Sequence, residues 1–302
     1  MDGGQQGADA VARRFADLWS ALVNDGEGRR PDEQRVLLIN SVRDALDRGE
    51  CRLAPPPAGI IANTFVLAEC VHDGAIAQVH HARHRDLQTS HAIKTLRAER
   101  SSDPVAHRLL LREAEIGLAL RHPHIVATQA LLRLEDGRPA LVMEWCDRTL
   151  ADRFSDGPFT LAEIRQIMAA MLSGLAAIHN MSVVHCDLSP ANLFFDCRSL
   201  DRLKIGDFSI AVSSGSRHAE SDLAFAGQSD FAGPEQIDGR PLDGRTDLYA
   251  AGRILSLLLQ HCSDAGSVNG LRQLADHLAQ ARPEDRPETA KIALDLLASV
   301  EP

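Results

Sequence analysis

Apolar residues recur at helical spacing over residues 8–23, where Ala8, Val11, Phe15, Leu18, Trp19 and Leu22 form one stripe. Pro31-Asp32-Glu33 then supplies the proline and acidic first turn that suit a helix N-terminus, and Val36, Leu37, Ile39, Val42 and Leu46 continue a second helix. Arg52 to Gly59, with Pro55-Pro56-Pro57, breaks the pattern and reads as a linker. These positions predict a helical hairpin ahead of a domain that begins near Ile60. The hairpin either packs on that domain for stability or docks a partner and regulates it.

Beyond the linker the pattern turns to strands. Phe65–Val71, Ile76–His84 and Ser90–Leu96 read as three of them, with Gly74 in the turn joining the first two. His80 and His84 share one strand face and His81 takes the other, so a three-histidine metal site is not expected. A helix is predicted from Pro104, and a hairpin over Leu131 to Val142 that turns at Asp136-Gly137. From Thr160 to Asn180, Leu161, Ile164, Met168, Met171, Leu172, Leu175 and Ile178 mark a long helix, with the methionines as core residues. Short strands at Leu193–Phe195 and Leu203–Ile205 precede a further helix from Gly244. Strands come first and helices after, an α+β order.

Composition narrows the setting. A chain of 302 residues holds one large domain or two lobes with their own cores. The net charge of −10 speaks against a bulk electrostatic grip on nucleic acid or anionic lipid, so neither is expected as a partner. Met1 to Gln6 lack the basic-then-apolar order of a signal peptide, and no apolar run is expected to reach membrane-spanning length, Ile254 to Leu259 being broken by Ser256. Six scattered cysteines without a C-x-x-C suit a reducing cytoplasm.

The chemistry concentrates in His185-Cys186-Asp187-Leu188-Ser189-Pro190-Ala191-Asn192 and, further on, Gly206-Asp207-Phe208-Ser209. Phosphoryl transfer needs a carboxylate to orient the attacking hydroxyl, and an amide and a carboxylate to hold magnesium against phosphates. Ala92-Ile93-Lys94 places on a strand a lysine that needs an anion, and Arg112-Glu113-Ala114-Glu115 offers Glu113 or Glu115 as one. Downstream stand Gly233-Pro234-Glu235, Gly244-Arg245-Thr246-Asp247 and Glu284-Asp285-Arg286-Pro287.

Taken in order over residues 60–300, these motifs resemble the eukaryotic-like (Hanks-type) bacterial Ser/Thr protein kinases in a divergent form. The resemblance implies a bilobal kinase-like α+β fold with an added N-terminal helical hairpin: extension 1–52, linker 53–59, β-rich N-lobe 60–145 and helical C-lobe 146–302, shortened after Gln260. It implies an ATP- and Mg²⁺-dependent transferase, with Mn²⁺ as the alternative ion, that phosphorylates protein hydroxyls. Asp187 would orient the hydroxyl, Asn192 and Asp207 would hold metal, and Lys94 paired to Glu113 would hold phosphates. Gly74, Val79, Ala92, Met143, Glu144, Cys146 and Phe194 would surround the nucleotide, with adenine bonded to the backbone around Glu144 and Cys146. Asp247 would brace the catalytic loop, and Glu235 would pair with Arg286.

The departures fall elsewhere. His72-x-Gly74-x-x-Ala77 keeps only the middle glycine of the loop that covers phosphates, which hinders backbone approach at position 72. Cys186 replaces the arginine that clamps a phosphorylated loop in the family, so activation through that clamp is not expected; Ser213, Ser214, Ser216 and Ser221 remain as candidate phosphorylation sites. Ser189 replaces a lysine and Gln228 a threonine that meet in the family: either that interaction has decayed, which would lower activity, or the Gln228 amide offers donors where the ammonium was. A pseudokinase that serves as an ATP-binding or interaction scaffold is the alternative reading. A small-molecule phosphotransferase is opposed by Glu235 and Arg286, which belong to a peptide-binding segment.

Overall fold

The computed structural model of the protein describes residues 3–25, 28–53, 60–62, 64–134, 136–195, 202–221, 229–264 and 268–300. The Pro55-Pro56-Pro57 linker and Gln228 lie outside them. The chain divides into two compact units, residues 1–66 and 67–302.

The first unit carries helices α1 (Gly3–Val23) and α2 (Asp32–Leu53), joined by a miniature antiparallel hairpin that pairs Asn24 with Arg29. Asp32 and Glu33 stand in the first turn of α2 as expected. Leu22 is buried, whereas Phe15, Trp19, Val36 and Leu37 are each more than half exposed.

From Phe65 onward, strands β1 (Phe65–Asp73), β2 (Ala77–His84), β3 (Ser90–Leu96), β4 (Thr128–Arg133) and β5 (Pro139–Glu144) lie in the sheet order β1-β2-β3-β5-β4. Strand β3 is central and antiparallel to both neighbours, with Lys94 opposite Val79 on one side and Leu141 on the other. Between β3 and β4 runs α3 (Pro104–Ala119), started by Asp103, whose carboxylate accepts from the Val105 and Ala106 N–H groups at 3.0 and 3.2 Å. The hairpin predicted over 131–142 extends to 128–144, with a register shift between Thr128 and Ala130.

The helical lobe is built on α4 (Leu161–Asn180). Thr160 and Glu163 form a reciprocal capping box, Glu163 Oε2 accepting from Thr160 N–H at 2.8 Å and Thr160 Oγ1 from Glu163 N–H at 3.2 Å. Ile164, Ile167, Met168, Met171, Leu172, Leu175 and Ile178 are fully buried and fall on one stripe. Each such side chain contributes roughly 1.5–3 kcal/mol by leaving water. This helix corrects one expectation: it is long and apolar enough to cross a membrane by length and composition, with a mean hydropathy of 1.4. Its apolar face instead lies in the lobe's core, beside α5 (Gly244–Gln260) and α7 (Ala290–Ser299).

Helix α5 ends at Gln260 and α6 (Asn269–Leu278) follows after a short connection. That connection has a job of its own. Phe159 N–H donates to His261 O at 2.8 Å, Ser263 N–H to Phe159 O at 2.9 Å, and Asp264 Oδ2 accepts from Leu161 N–H at 2.7 Å. The shortened region therefore caps the start of α4.

Candidate active site

Lys94 is buried, and its ammonium has two anionic partners: Glu113 Oε1 at 2.8 Å and Asp207 Oδ1 at 2.9 Å. Glu113 comes from the buried face of α3, while Glu115 points to solvent. The helix reaches this position because Gly117 lets it touch β4. A Cβ there would lie 2.1 Å from Thr128 Oγ1, inside any real contact distance. Burial disfavours the Lys94 charge, yet Asp207 and Glu113 outweigh it and hold the ammonium strongly protonated. Burial raises Glu113 as well, up to about 7 against the pull of Lys94, since one ammonium serves two carboxylates. Asp207 is desolvated too, but Lys94 and the Ser209 N–H hold it far below the usual carboxylate range.

The loop after α4 is set by Asp247 on α5. Its Oδ2 accepts from His185 N–H at 2.8 Å and its Oδ1 from Cys186 N–H at 2.9 Å, while His179 Nε2 lies 2.9 Å from Oδ2. Cys186 adopts φ 66°, a left-handed conformation that a side chain other than glycine takes only when its surroundings impose it. Asp207 has φ 66° as well. Both strained residues flank the same centre. Asn192 Nδ2 donates to the Asp187 carbonyl and to Asp187 Oδ2, each at 2.8 Å, so the two functional side chains predicted from this loop are joined. His185 closes the gap to the other loop, with Nε2 at 3.0 Å from Gly206 O and its ring 5.1 Å from that of the buried Phe208.

Strands β6 (Leu193–Phe195) and β7 (Lys204–Ile205) pair Phe194 with Lys204 and deliver Gly206-Asp207. Gly206 is tightly enclosed: a Cβ would come to 2.8 Å of Val126 and 3.0 Å of Phe194. On the sheet, Val79 and Lys94 are opposite, as are Ala92 and Met143, which puts the expected nucleotide residues of three strands on one face. At Glu144 the N–H is donated to Ala127 O at 2.9 Å, and the carboxylate takes Lys204 at 2.7 Å and the Ala127 N–H at 2.9 Å. Lys204 was not singled out from sequence, where a lone lysine on a short strand carries no signal.

The reduced glycine loop is a tight hairpin tip. Gly74 N–H donates to Ala77 O at 3.0 Å, and Arg97 N–H to Ile76 O at 3.0 Å. Asp73 is held by Arg97 and by Gln78 Nε2 at 3.0 Å, so the tip is tied to the end of β3. The His72 ring lies against Gly74, 3.0 Å from where a Cβ would be. Across the site, Arg286 forks onto Glu235 at 2.7 and 2.9 Å and lies over the Tyr249 ring at 4.9 Å. Gln236 Nε2 donates to Cys186 O at 2.8 Å, and Ser189 is fully buried. Of the histidines on β2, His81 lies 3.0 Å from Ser90 Oγ with its ring against Trp145, and His84 accepts from the Asp86 and Leu87 N–H groups.

A buried lysine shared by a helix glutamate and a loop aspartate, beside an aspartate–asparagine pair, is the arrangement found across one family, whose model, described as the protein kinase domain, matches residues 65–295. The chain belongs to the protein kinase family. It is 31% identical over 205 residues to the serine/threonine-protein kinase PknB of Mycobacterium leprae, a match covering 66% of this chain and 33% of that protein. It is 30% identical over 245 residues to the serine/threonine-protein kinase PknJ of Mycobacterium tuberculosis, covering 79% of this chain and 41% of the relative. The kinase match thus spans about a third of the length of PknB. The β-rich and helical lobes of residues 67–302 are the two lobes of the kinase fold.

Proposed function

We propose that this chain is a serine/threonine protein kinase that uses ATP with Mg²⁺ or Mn²⁺. The observation that carries the reading is the buried Lys94 bonded at once to Glu113 and Asp207. A buried ammonium is costly without anions, and here two carboxylates poise it beside the loop that bears Asp187. The donor set fits a hard cation held jointly with phosphates. Asn192 commits its amide nitrogen to Asp187, which leaves the amide oxygen as its ligand atom, and Asp207 is a fully ionised carboxylate. Among the described residues no cluster of three or more His, Cys, Asp or Glu forms a metal cage by itself.

In this reading Lys94 positions phosphate oxygens, Asn192 and Asp207 bind metal, and Asp187 accepts the hydrogen bond of a serine or threonine hydroxyl and aims it. Bound Mg²⁺ neutralises charge that develops on the phosphoryl oxygens. The face made by Val79, Ala92, Met143, Phe194 and Gly206 takes the adenine, with the backbone at Cys146 as its hydrogen-bonding edge. Protein substrates are supported by the Glu235–Arg286 fork, which holds the segment a peptide would lie against. Activation through an arginine–phosphate clamp is not part of the reading, because Cys186 offers no cation. Exposed Phe15, Trp19, Val36 and Leu37 support partner docking on the N-terminal helices, and the free thiols of Cys70, Cys186 and Cys262 support a cytoplasmic setting. The net charge of −10 supports neither nucleic acid nor a lipid surface as a partner.

The test is phosphate transfer from labelled ATP to a generic protein substrate, wild type beside Asp187→Asn. The variant should lose about 10²–10⁴-fold in rate while still binding nucleotide. Tight nucleotide binding with no transfer above the Asp187→Asn level would favour a pseudokinase. That second reading draws on buried Ser189 in place of the phosphate-contacting lysine and on the tethered hairpin tip.

A further inference from the structure

Residues 124–127, which lead from α3 into β4, are threaded between two parts of the chain that would meet opposite ends of a nucleotide. On one side they run beside β7. Ile205 N–H donates to His124 O at 2.9 Å, Val126 N–H to Ile205 O at 2.9 Å, and His124 Nδ1 lies 3.0 Å from Leu203 O. Gly206, the next residue, is so close that a Cβ there would meet Val126 at 2.8 Å. On the other side they meet the end of β5. Glu144 N–H donates to Ala127 O, and Ala127 N–H donates to Glu144 Oε2, each at 2.9 Å.

Lys204 closes the ring. Its ammonium lies 2.7 Å from Glu144 Oε1 and 3.0 Å from Oε2, although the two residues stand sixty apart in the chain. An exposed ion pair contributes little, because water screens it and both side chains must be immobilised. This pair differs on both counts: each side chain is only 23% exposed, and the Ala127 N–H already fixes the carboxylate. Lys204 leads directly into Gly206-Asp207, and Glu144 into Cys146. The ion pair therefore joins the strand that delivers Asp207 to the strand that ends at the proposed adenine edge.

We infer that Lys204 and Glu144 are positioning residues: their ion pair, closed over Ala127, holds the Asp207 carboxylate in register with the backbone at Cys146. The inference rests on the proposed nucleotide reading and adds which residues keep its two ends aligned. Adenosine would touch the Cys146 end alone, whereas ATP with Mg²⁺ has to span both ends. Cutting the clasp is therefore felt by the second ligand and not by the first. The Cys146 end keeps its own support without Lys204, since β5 stays laddered to β3 with Glu144 opposite His91. A pair that served stability alone would leave both ligands affected equally or not at all.

The experiment titrates adenosine, and separately ATP with Mg²⁺, into the full chain as wild type, Lys204→Met, Lys204→Arg, Glu144→Gln and the double variant Lys204→Met/Glu144→Gln. Amide exchange is followed at Val126, Ala127 and Ile205. Lys204→Met should weaken ATP with Mg²⁺ roughly 3- to 10-fold, the value of one hydrogen bond, and leave adenosine within about 2-fold. Lys204→Arg keeps the charge and should recover most of the loss. Glu144→Gln keeps an oxygen for the Ala127 N–H and should lose about as much as Lys204→Met. The double variant should lose no more than either single one, because both act through one bond. Exchange should quicken in Lys204→Met and stay near wild type in Lys204→Arg. Equal weakening of the two ligands, undiminished binding of ATP with Mg²⁺, or single losses that add in the double variant overturns the inference. Should wild type bind neither ligand, the nucleotide reading fails and exchange alone decides the clasp: quickened exchange in Lys204→Met upholds it, and unchanged exchange overturns it.

Discussion

Two sides of one cleft are held by opposite kinds of force. On the side of Lys94 the structure concentrates charge: one ammonium, two carboxylates, and Asp187 tied to Asn192. On the side of the segment after Asp207 it has removed charge, packing Cys186, Val184, Val212 and Leu242 into a small apolar cluster. In the proposed function the charged side has to stay responsive to ligands, since its groups are the ones that would meet phosphate and metal. The apolar side has only to stay in place. Buried charges are strong only in pairs, whereas an apolar plug needs no partner to hold it. A kinase fold can therefore keep its chemistry while changing how its segment is kept in order.

Replacing the lysine breaks the charged side most severely. Lys94→Met leaves the buried Glu113 and the partly buried Asp207 without a cation and should cost about 3–5 kcal/mol in denaturant unfolding, together with phosphate transfer. An unchanged unfolding midpoint would show that the two carboxylates do not depend on Lys94. On the apolar side, Cys186→Arg inserts a long cation into a filled cluster and should destabilise by about 1–3 kcal/mol. If the thermal midpoint holds and activity becomes dependent on phosphorylation, the site is a dormant clamp and the contrast between the two sides disappears.

A gentler probe is pH. Burial raises Glu113 to about 7 in the folded state, above its ordinary carboxylate value, so the folded protein binds this proton more tightly than the unfolded chain. The stabilising contribution is therefore complete below the ordinary value and is lost as pH rises through about 7. Activity runs the other way, because only the ionised carboxylate pairs fully with Lys94. The rate should climb on the acid side towards an apparent pKa near 7, and Glu113→Gln should remove both slopes. A rate profile flat from pH 5.5 to 8 in wild type would place the Glu113 proton elsewhere.

Much of this site was readable along the chain. The order Lys94, Glu113, Asp187, Asn192, Asp207, Glu235, Asp247 and Arg286 pointed to the fold, and the structure joins Lys94 to Glu113, Asp187 to Asn192 and Glu235 to Arg286. The stripe from Leu161 to Ile178 and the Thr160–Glu163 box were equally plain, being local matters of period and spacing. The pairing of Lys204 with Glu144, the tie from Arg97 to Asp73 and the burial of His218 were not. Each joins an ordinary residue to a distant one, and nothing in its own neighbourhood marks it.

By itself, then, the sequence determined which residues could carry phosphoryl-transfer chemistry and the elements that bear them, because those depend on residue type and on short-range periodicity. Only the tertiary structure decided that Lys94 serves two carboxylates, that Asp247 bends Cys186 into a left-handed turn, and that Cys186 meets the segment as an apolar group. Those outcomes follow from burial and from pairings between distant parts of the chain, and both exist only once the chain has folded.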